Sequence, residues 1–289
     1  MEAVTFTKGG HVPLNPVRRK VLVTGAAGNI GSHFVTHNHT KYDIRMLERV
    51  GGKDSSPLKG LGEYVEGDIT DLGFLKSACE GIDTVLHLAG DPSPSATWDS
   101  LLPSNIIGTY NAFVAAKAKG CRRLVFASSI HAVSGYPVDV QVKPSDPINP
   151  GDLYGVTKCF GESLGRYMAE QEGLSNIAIR IGGFNTLDSA RGKHGKRMID
   201  AFVSHRDLDQ LINRCIDAEH IQYAIFHGIS NNRFKRLDIS NAREVLGYAP
   251  VDDPAELNPE LKSIGMDQLQ ISHSRADPGQ KSGLRNDLG

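Results

Sequence analysis

A tyrosine and a lysine, Tyr154 and Lys158, lie four residues apart and therefore share one face if this segment is helical. A free phenol has a pKa of about 10 and is a poor base at neutral pH. A neighbouring ammonium group stabilises the phenolate and lowers that pKa, so the pair could take a proton from a hydroxyl. Because such pairs are also common on helix surfaces, this prediction depends on a second motif.

The second motif is a glycine-rich turn that follows the apolar run 20–24, with the sequence Thr24-Gly25-Ala26-Ala27-Gly28-Asn29-Ile30-Gly31. Glycines let the backbone approach a pyrophosphate closely, and the next helix offers free N–H groups and a positive dipole at its N-terminus. The turn therefore predicts a bound dinucleotide, although a plain strand-to-helix connection is the alternative. The residues predicted at the pyrophosphate are Gly25, Gly28, Asn29, Ile30 and Gly31.

Acidic residues at the ends of later strand-like runs indicate which dinucleotide binds. Glu48 follows the glycine turn by roughly 20 residues, where a carboxylate bonds the adenosine ribose and repels the 2′-phosphate of NADP. We therefore predict NAD and regard NADP as disfavoured, although Arg49 could soften that preference and Glu48 could be only a solvated charge. Asp68 could accept from the adenine amine or cap the next helix. The remaining predicted cofactor contacts are Ile69, Leu88, Ala89, Gly90, Ser128, Tyr154 and Lys158.

Three further polar residues are candidates for the chemistry itself. Ser128 and Ser129 end a strand-like run, and ligands of parallel sheets bind at that carboxyl edge. Either hydroxyl could polarise the reacting oxygen, while one could instead bond the backbone. Asn105 lies within a predicted helix, where asparagine is unfavourable. We predict that it anchors a water that passes protons from Lys158, and a solvent-facing asparagine is the alternative.

Strand-like and helical segments alternate in the first part of the chain. Strands are predicted at 20–24, 44–47, 64–65, 84–88, 124–127 and 177–181, and helices at 29–38, 71–80, 98–119 and 151–172. This alternation predicts an α/β fold, a Rossmann-type doubly wound parallel sheet with right-handed crossovers.

After Ile181 the alternation weakens, and we predict a small C-terminal substrate-binding lobe. It would begin with a basic loop over the cleft at 182–197 and continue with a helix at 208–218, a strand at 221–227 and a glycine-closed helix at 240–247. The predicted organisation is a flexible N-terminal tail, a dinucleotide-binding Rossmann domain, the lobe and a disordered tail, with boundaries 1–17, 18–181, 182–264 and 265–289.

Composition narrows the functional class. The chain is 39% hydrophobic and 22% charged with a net charge of −1, which provides no global field to recruit nucleic acid or a membrane surface. Its four cysteines are scattered without metal-ligand spacing, so we predict reduced thiols, no metal and a cytoplasmic location. No apolar run is long enough to span a bilayer, and no secretory signal is evident.

Taken in order, the motifs resemble those of the extended short-chain dehydrogenase/reductase superfamily, also called the NAD-dependent epimerase/dehydratase superfamily, from about residue 20 to 253. They comprise the glycine turn, Asp68-x-x-Asp71, Asp83 with His87 and Ala89, Asn105-x-x-Gly108-Thr109, Ala127-Ser128-Ser129, Tyr154-x-x-x-Lys158 and Arg180. Within this superfamily the chain is most similar to the uronate dehydrogenases. That likeness lies in the segments 105–108, 126–131, 153–162, 180–182 and 197–198.

The resemblance implies an NAD-dependent oxidation of the anomeric hydroxyl of a sugar acid or related polyol, in a homo-oligomer paired through the long helices. It implies that Tyr154 is the base and that Lys158 is its pKa partner and ribose clamp. The implied substrate contacts are Ser93, Ser129, His131, Gly183 and Arg197, with the arginine binding the carboxylate in a bidentate pair. The chain departs from the family at Ile130, where an asparagine is usual, and at Gly183, where a serine is usual.

Two alternatives use the same motifs. A nucleotide-sugar epimerase or dehydratase shares the fold and cofactor, but Ile130 and His131 supply no acidic pair after the strand-end serines, and the region after Ile181 is short. A non-catalytic dinucleotide-sensing protein is the other alternative. Loss of Tyr154 or Lys158 would be its signature, and both residues are present.

Overall fold

A computed structural model describes residues 18–192 and 196–265 together with His273. The predicted N-terminal tail, residues 1–17, lies outside this range, as does the predicted C-terminal tail apart from Gly265 and His273. Within the described residues, no helix combines the length and the apolar content that a bilayer crossing requires.

A seven-stranded parallel sheet forms the centre of the molecule. Its strands are β1 (Lys20–Thr24), β2 (Asp43–Glu48), β3 (Glu63–Glu66), β4 (Thr84–His87), β5 (Arg123–Ser129), β6 (Ser175–Ile181) and β9 (Tyr223–Gly228). They lie in the order β3-β2-β1-β4-β5-β6-β9, and every neighbouring pair is parallel. From β1 the chain adds β2 and β3 on one side, and it then adds β4 and the later strands on the other side. The strand order therefore reverses between β1 and β4, and a cleft opens there at the carboxyl ends of the strands. The predicted doubly wound α/β fold is confirmed.

Helices cover both faces of the sheet, and their ends carry the expected capping signals. The main ones are α1 (Asn29–Asn38), α2 (Leu72–Ala78), α5 (Leu153–Glu170), α7 (His205–Asp217) and α8 (Ser240–Leu246). Asp71 caps α2 by accepting from Phe74 N at 3.0 Å, and Gly247 ends α8 in the left-handed region with φ +64°. These helices lie within a few residues of their predicted positions.

The predicted helix 98–119 is interrupted. It consists of α3 (Trp98–Leu101), a π-helical stretch over Leu102–Ile107 and α4 (Gly108–Ala118). Pro103 supplies no N–H to the helix, and its carbonyl accepts from Gly108 N five residues later. Such π-helical turns widen a helix locally and are frequent at functional sites. This one carries Asn105 and buries its side chain.

Two apolar cores lie on opposite faces of the sheet, as the alternation of side chains along each strand requires. Val21 and Val23 of β1 pack in the core that contains Phe34 of α1. Leu22, between them, packs in the other core with Phe113 of α4. The glycine turn at the end of β1 is therefore held from both sides.

The region after Ile181 differs from the single loop that the sequence predicted. It contains β7 (Gly183–Asn185), which pairs with β8 (Phe202–Ser204), and the short helix α6 (Leu187–Arg191). These elements are too short to show a hydrophobic period, so the pattern gave no signal for them. Residues 193–195 of the predicted basic loop lie outside the described residues. Because β9 joins the main sheet, the segment 182–264 is continuous with the Rossmann core, and its separation as a substrate lobe stays a prediction.

Candidate active site

A cleft of about 1480 Å³ opens at the carboxyl edge of the sheet. It is lined by the glycine turn, the ends of β2, β4 and β5, the first turns of α5 and the segment around β7. It brings together most of the predicted site residues: Gly25, Gly28, Asn29, Ile30, Gly31, Glu48, Asp68, Ile69, Leu88, Ala89, Gly90, Ser128, Ser129, His131, Tyr154, Lys158, Gly183 and Arg197. Residues predicted from widely separated segments therefore line one contiguous cleft.

The glycine turn has the close backbone packing that a pyrophosphate cradle needs. Gly25 has φ +69°, and a Cβ on Gly31 would overlap the carbonyl oxygen of Gly25. Helix α1 begins at Asn29 with Gly28 as its N-cap and no side-chain capping bond. Its first N–H groups and its positive dipole are therefore available to an anion in the cleft, which fits a dinucleotide.

Glu48 supports the turn as well as lining the cleft. The backbone N–H of Ala27 donates to its Oε1, and burial raises the pKa of the Glu48 carboxyl. A carboxylate in this position ties the end of β2 to the glycine turn. Its contact with the adenosine ribose stays a prediction.

Asp68 is not a helix cap. Its Oδ1 accepts from both the N–H and the hydroxyl of Thr70 at 2.8 Å, and these bonds lower the pKa of its carboxyl. The helix cap is Asp71 instead. Of the two alternatives for Asp68, only the contact with adenine remains.

The two strand-end serines have different roles because neighbouring residues of a strand face opposite sides. The Ser128 hydroxyl donates to Glu162 Oε1 at 2.5 Å, and Glu162 also accepts from Arg180 Nε and Nη2 at 2.9 and 2.8 Å. The Ser128 hydroxyl is therefore bound to Glu162, while Ser128 also lines the cleft, and its contact with the cofactor stays a prediction. Ser129 is close enough to the Tyr154 phenol to lower the pKa of that phenol.

Tyr154 and Lys158 lie together at the start of α5, but the protein alone does not activate the phenol. Burial raises the pKa of Tyr154 to about 12 and lowers the pKa of Lys158 to about 8. The lysine Nζ donates to the Ala127 carbonyl at 2.9 Å and lies 5.4 Å from the centre of the Tyr154 ring. We expected the Lys158 ammonium to lower the pKa of Tyr154. Among the groups that the protein itself supplies this is wrong, because desolvation of the phenolate raises that pKa by more.

Asn105 lies behind the cleft rather than in its wall. Its Oδ1 accepts from Asp91 N at 2.7 Å and from Ser104 Oγ at 2.9 Å, and its Nδ2 donates to Asp91 O at 3.0 Å and Thr157 Oγ1 at 3.2 Å. These bonds fill the capacity of the amide and tie the loop after β4 to α5. The solvent-facing alternative is excluded by burial, and the water relay would require one of these bonds to open.

Ser93 does not line the cleft, whereas its neighbours Pro92 and Pro94 do. Its hydroxyl accepts from Ser95 N at 3.2 Å, and its N–H donates to Asp91 Oδ1 at 2.9 Å. Its hydroxyl is exposed and can still donate its proton, so the contact of Ser93 with substrate stays a prediction.

Asp152 is a site residue that sequence reasoning missed. It caps α5 by accepting from Gly155 N at 2.7 Å, and its other oxygen lies 2.6 Å from His131 Nδ1. An aspartate three residues before a helical N–H is a recognisable cap signal. Its partnership with His131 depends on tertiary packing, and no local pattern reports it.

The segment after β7 contributes the cationic part of the cleft. Lys196 and Arg197 line it, and neither has an ion-pair partner among the residues that the structure describes. His273 also lines the cleft, and its Nε2 lies 2.9 Å from Asp200 Oδ1. An anionic substrate group is the ligand that such unpaired cations suit.

We expect Lys158→Met to raise the free energy of unfolding by about 2 kcal/mol at pH 7, because a buried ammonium is removed with only one hydrogen bond lost. Between pH 8 and about 10.5 the unfolded wild type retains a proton that the folded protein has released, so wild-type stability rises with pH there. The stability difference between Lys158→Met and the wild type should therefore decrease as the pH rises from 8 to about 10.5.

Urea unfolding of both proteins at a series of pH values measures this difference. The control is Lys117→Met, which removes an exposed lysine on α4 and should change stability by less than about 0.5 kcal/mol. A wild type at least as stable as Lys158→Met at pH 7 would contradict the prediction.

Comparisons with known proteins agree with the geometry. The model of the NAD dependent epimerase/dehydratase family matches residues 21–222. The chain is 37% identical over 250 residues to an NAD-dependent glucose-6-phosphate dehydrogenase of Haloferax volcanii, covering 82% of this chain and 94% of the relative. It is 34% identical to a uronate dehydrogenase of Agrobacterium fabrum over 81% of this chain and 85% of that protein.

A solved structure shows the same likeness. The crystal structure of a uronate dehydrogenase variant from Agrobacterium tumefaciens complexed with NAD superposes with a TM-score of 0.73 at 30% identity, covering 91% of this chain and 92% of that one. The resemblance to dehydrogenases of the extended short-chain type is thus confirmed. The chain belongs to the NAD dependent epimerase/dehydratase family.

Proposed function

We propose that this chain is an NAD-dependent dehydrogenase that oxidises the anomeric hydroxyl of a sugar acid or a related carbohydrate. The observation that carries this proposal is the Ser129–Tyr154–Lys158 group in the same cleft as the glycine turn. When bound in this cleft, NAD would supply a nicotinamide ring able to accept a hydride from the substrate carbon. The relatives reported above are an NAD-dependent glucose-6-phosphate dehydrogenase and uronate dehydrogenases, one of them solved with NAD, which supports the same activity.

The protein's own groups would handle the proton and the orientation. Tyr154 takes the hydroxyl proton, and Ser129 holds the same substrate oxygen. Lys158 has a pKa of about 8, so it is poised to hold or release a proton near neutral pH. Burial, together with the charges of Asp152 and Asp91, raises the pKa of Tyr154 to about 12, so a positive charge beside the phenol is needed to bring it down. The oxidised nicotinamide of a bound NAD would supply such a charge.

Arg197 supports an anionic substrate. Its guanidinium has no ion-pair partner among the described residues and lines the cleft beside Lys196. A planar guanidinium binds a carboxylate or a phosphate through two parallel hydrogen bonds. We therefore propose a sugar bearing a carboxylate or a phosphate away from its reacting carbon.

The test is NADH formation by the full chain with glucuronate and galacturonate, with glucose 6-phosphate, and with neutral glucose and arabinose. We expect one anionic group of sugars to be preferred. We also expect Arg197→Ala to raise KM for the preferred anionic sugar by about 10- to 100-fold. The same variant should barely change KM for a neutral sugar. Arg191→Ala is the control, since Arg191 pairs with Asp188 and does not line the cleft.

No NADH with any sugar, although NAD binds, would contradict the dehydrogenase proposal. Turnover of a nucleotide sugar without release of NADH would instead indicate the epimerase alternative, because an epimerase returns its hydride to the substrate. If Arg197→Ala changed KM equally for anionic and neutral sugars, the proposed contact between Arg197 and the anion would be contradicted. The dehydrogenase proposal would not be affected by that result.

Two further properties are proposed with the function. Pairing of two copies through α4 and α5 is supported by the exposed apolar side chains of Tyr110, Val156 and Tyr167, which are 49%, 47% and 51% accessible. A cytoplasmic location is supported by the four cysteines, which are free and buried. Sedimentation of the purified chain measures the first, and localisation of the tagged chain measures the second.

A further inference from the structure

One carboxylate joins two parts of the cleft. Asp152 Oδ1 accepts from Gly155 N at 2.7 Å and so caps the helix that carries Tyr154. Its Oδ2 lies 2.6 Å from His131 Nδ1. The Asp152 side chain is 0% exposed and that of His131 is 14% exposed, so the histidine is the member that faces the cleft.

The packing around this pair leaves it little freedom. The backbone N–H of His131 donates to Ser129 Oγ at 3.2 Å, and its ring meets the Tyr154 ring edge-on with centroids 5.6 Å apart. A Cβ on Gly155 would overlap the carbonyl oxygen of His131, so only glycine lets α5 approach this closely. The imidazole is therefore held beside the Tyr154 ring, and the His131 backbone is held against the Ser129 hydroxyl.

The chemistry of the two partners determines where the ring proton lies. An ionised carboxylate only accepts hydrogen bonds, so Nδ1 of His131 must carry the proton in this contact. In the neutral ring Nε2 then carries the lone pair. Nε2 has no hydrogen-bond partner among the described residues, and it is the ring nitrogen left to meet a ligand.

We propose that Asp152 is a positioning residue that holds His131 in the Nδ1–H tautomer, so that Nε2 accepts a hydrogen bond from a substrate hydroxyl next to the one that Tyr154 deprotonates. The same carboxylate fixes the start of α5, so the acceptor and the base are placed together. The identity of the ligand rests on the proposed function. The tautomer of the His131 ring does not depend on it.

Asp152→Asn separates the two roles of the carboxylate. Asparagine is as good an N-cap as aspartate, so its carbonyl oxygen can keep the bond from Gly155 N. That bond also prevents the amide from flipping, because a flip would place an NH₂ group against the Gly155 N–H. The amide nitrogen then faces His131 Nδ1 as a donor and forces the neutral ring to carry its proton on Nε2. The variant turns the proposed acceptor into a donor while leaving the helix capped.

The first measurement is the ring tautomer, observed by long-range ¹H–¹⁵N NMR of histidine-labelled protein, with the His131 signals identified by their loss in His131→Ala. We expect Nδ1–H in the wild type and Nε2–H in Asp152→Asn. This readout needs no turnover. An Nε2–H ring in the wild type overturns the proposal even if the enzyme is active, whereas an inactive enzyme with an Nδ1–H ring counts against the proposed function only.

The second measurement is kinetic, on the sugar that the wild type oxidises. We expect Asp152→Asn to raise KM by about 10-fold or more, because a buried substrate hydroxyl loses its acceptor, while kcat and the Kd of NAD change little. In a His131→Ala background the same substitution should change KM by less than about twofold, because the residue through which it acts is gone. An equally large effect in both backgrounds overturns the proposal, since Asp152 would then act through α5 or Tyr154.

Asp71→Asn is the matched control. Asp71 caps α2 in the same way, through Phe74 N at 3.0 Å, and has no histidine partner. It should leave KM unchanged, and both Asp→Asn variants should unfold at temperatures close to that of the wild type. A KM increase in Asp71→Asn as large as that in Asp152→Asn would show a general consequence of weakened caps and would also overturn the proposal.

Discussion

Replacing Tyr154 with phenylalanine is expected to lower kcat by about 10³-fold, because it removes the group that takes the substrate proton. The ring packs against Leu101 and Ala96 and is 7% exposed, and phenylalanine preserves that packing. The fold and the Kd of NAD should therefore change little. Steady-state kinetics with the preferred sugar, together with fluorescence titration of NAD, measure both quantities.

Tyr223→Phe is the matched control for this variant. Tyr223 is also partly buried, and its hydroxyl donates to the Glu162 carbonyl at 3.3 Å, outside the cleft. Its loss should leave kcat within about twofold of the wild type. A Tyr154→Phe enzyme that keeps more than about a tenth of the wild-type kcat would show that another group accepts the proton.

Glu162→Ala should lower the free energy of unfolding by about 3–5 kcal/mol, since it leaves a buried arginine without its counter-charge. Arg180 is 1% exposed, and Glu162 accepts from its Nε and Nη2, while Nη1 has no hydrogen-bond partner. The Ser128 hydroxyl loses its acceptor in the same variant. Urea unfolding followed by circular dichroism measures the loss.

The control for this prediction lies on the same helix. Glu170 pairs with Arg166 four residues away, and both side chains are largely exposed, so Glu170→Ala should cost less than about 1 kcal/mol. Combining Glu162→Leu with Arg180→Met removes both buried charges and should recover much of the stability. If Glu162→Ala were no more destabilising than Glu170→Ala, the buried pair would not be a significant source of stability.

The elements that the sequence predicted well are those with local signals. The glycine turn, the strands up to Ile181 and the helix cap at Asp71 each depend on residues within a few positions of one another. Because parallel strands bring their carboxyl ends to one edge, Glu48 and Tyr154 could be assigned to one cleft without coordinates.

The details that the sequence could not provide depend on tertiary contacts. Which of the two serine hydroxyls is free to meet a ligand depends on the packing of β5 against α5, because Glu162 accepts the hydroxyl of Ser128. The pKa of Tyr154 depends on how completely the folded chain removes it from water, which no spacing reports. The link between Asp152 and His131 joins two segments that carry no shared pattern.

The contact at Gly183 bears on how this cleft can be redesigned. A Cβ at that position would overlap the Cε of Met198, which is the free end of a flexible side chain. The methionine can therefore turn aside, and a hydroxyl at 183 needs no prior change at 198. A more polar sugar pocket is accessible from this chain by a single substitution at 183.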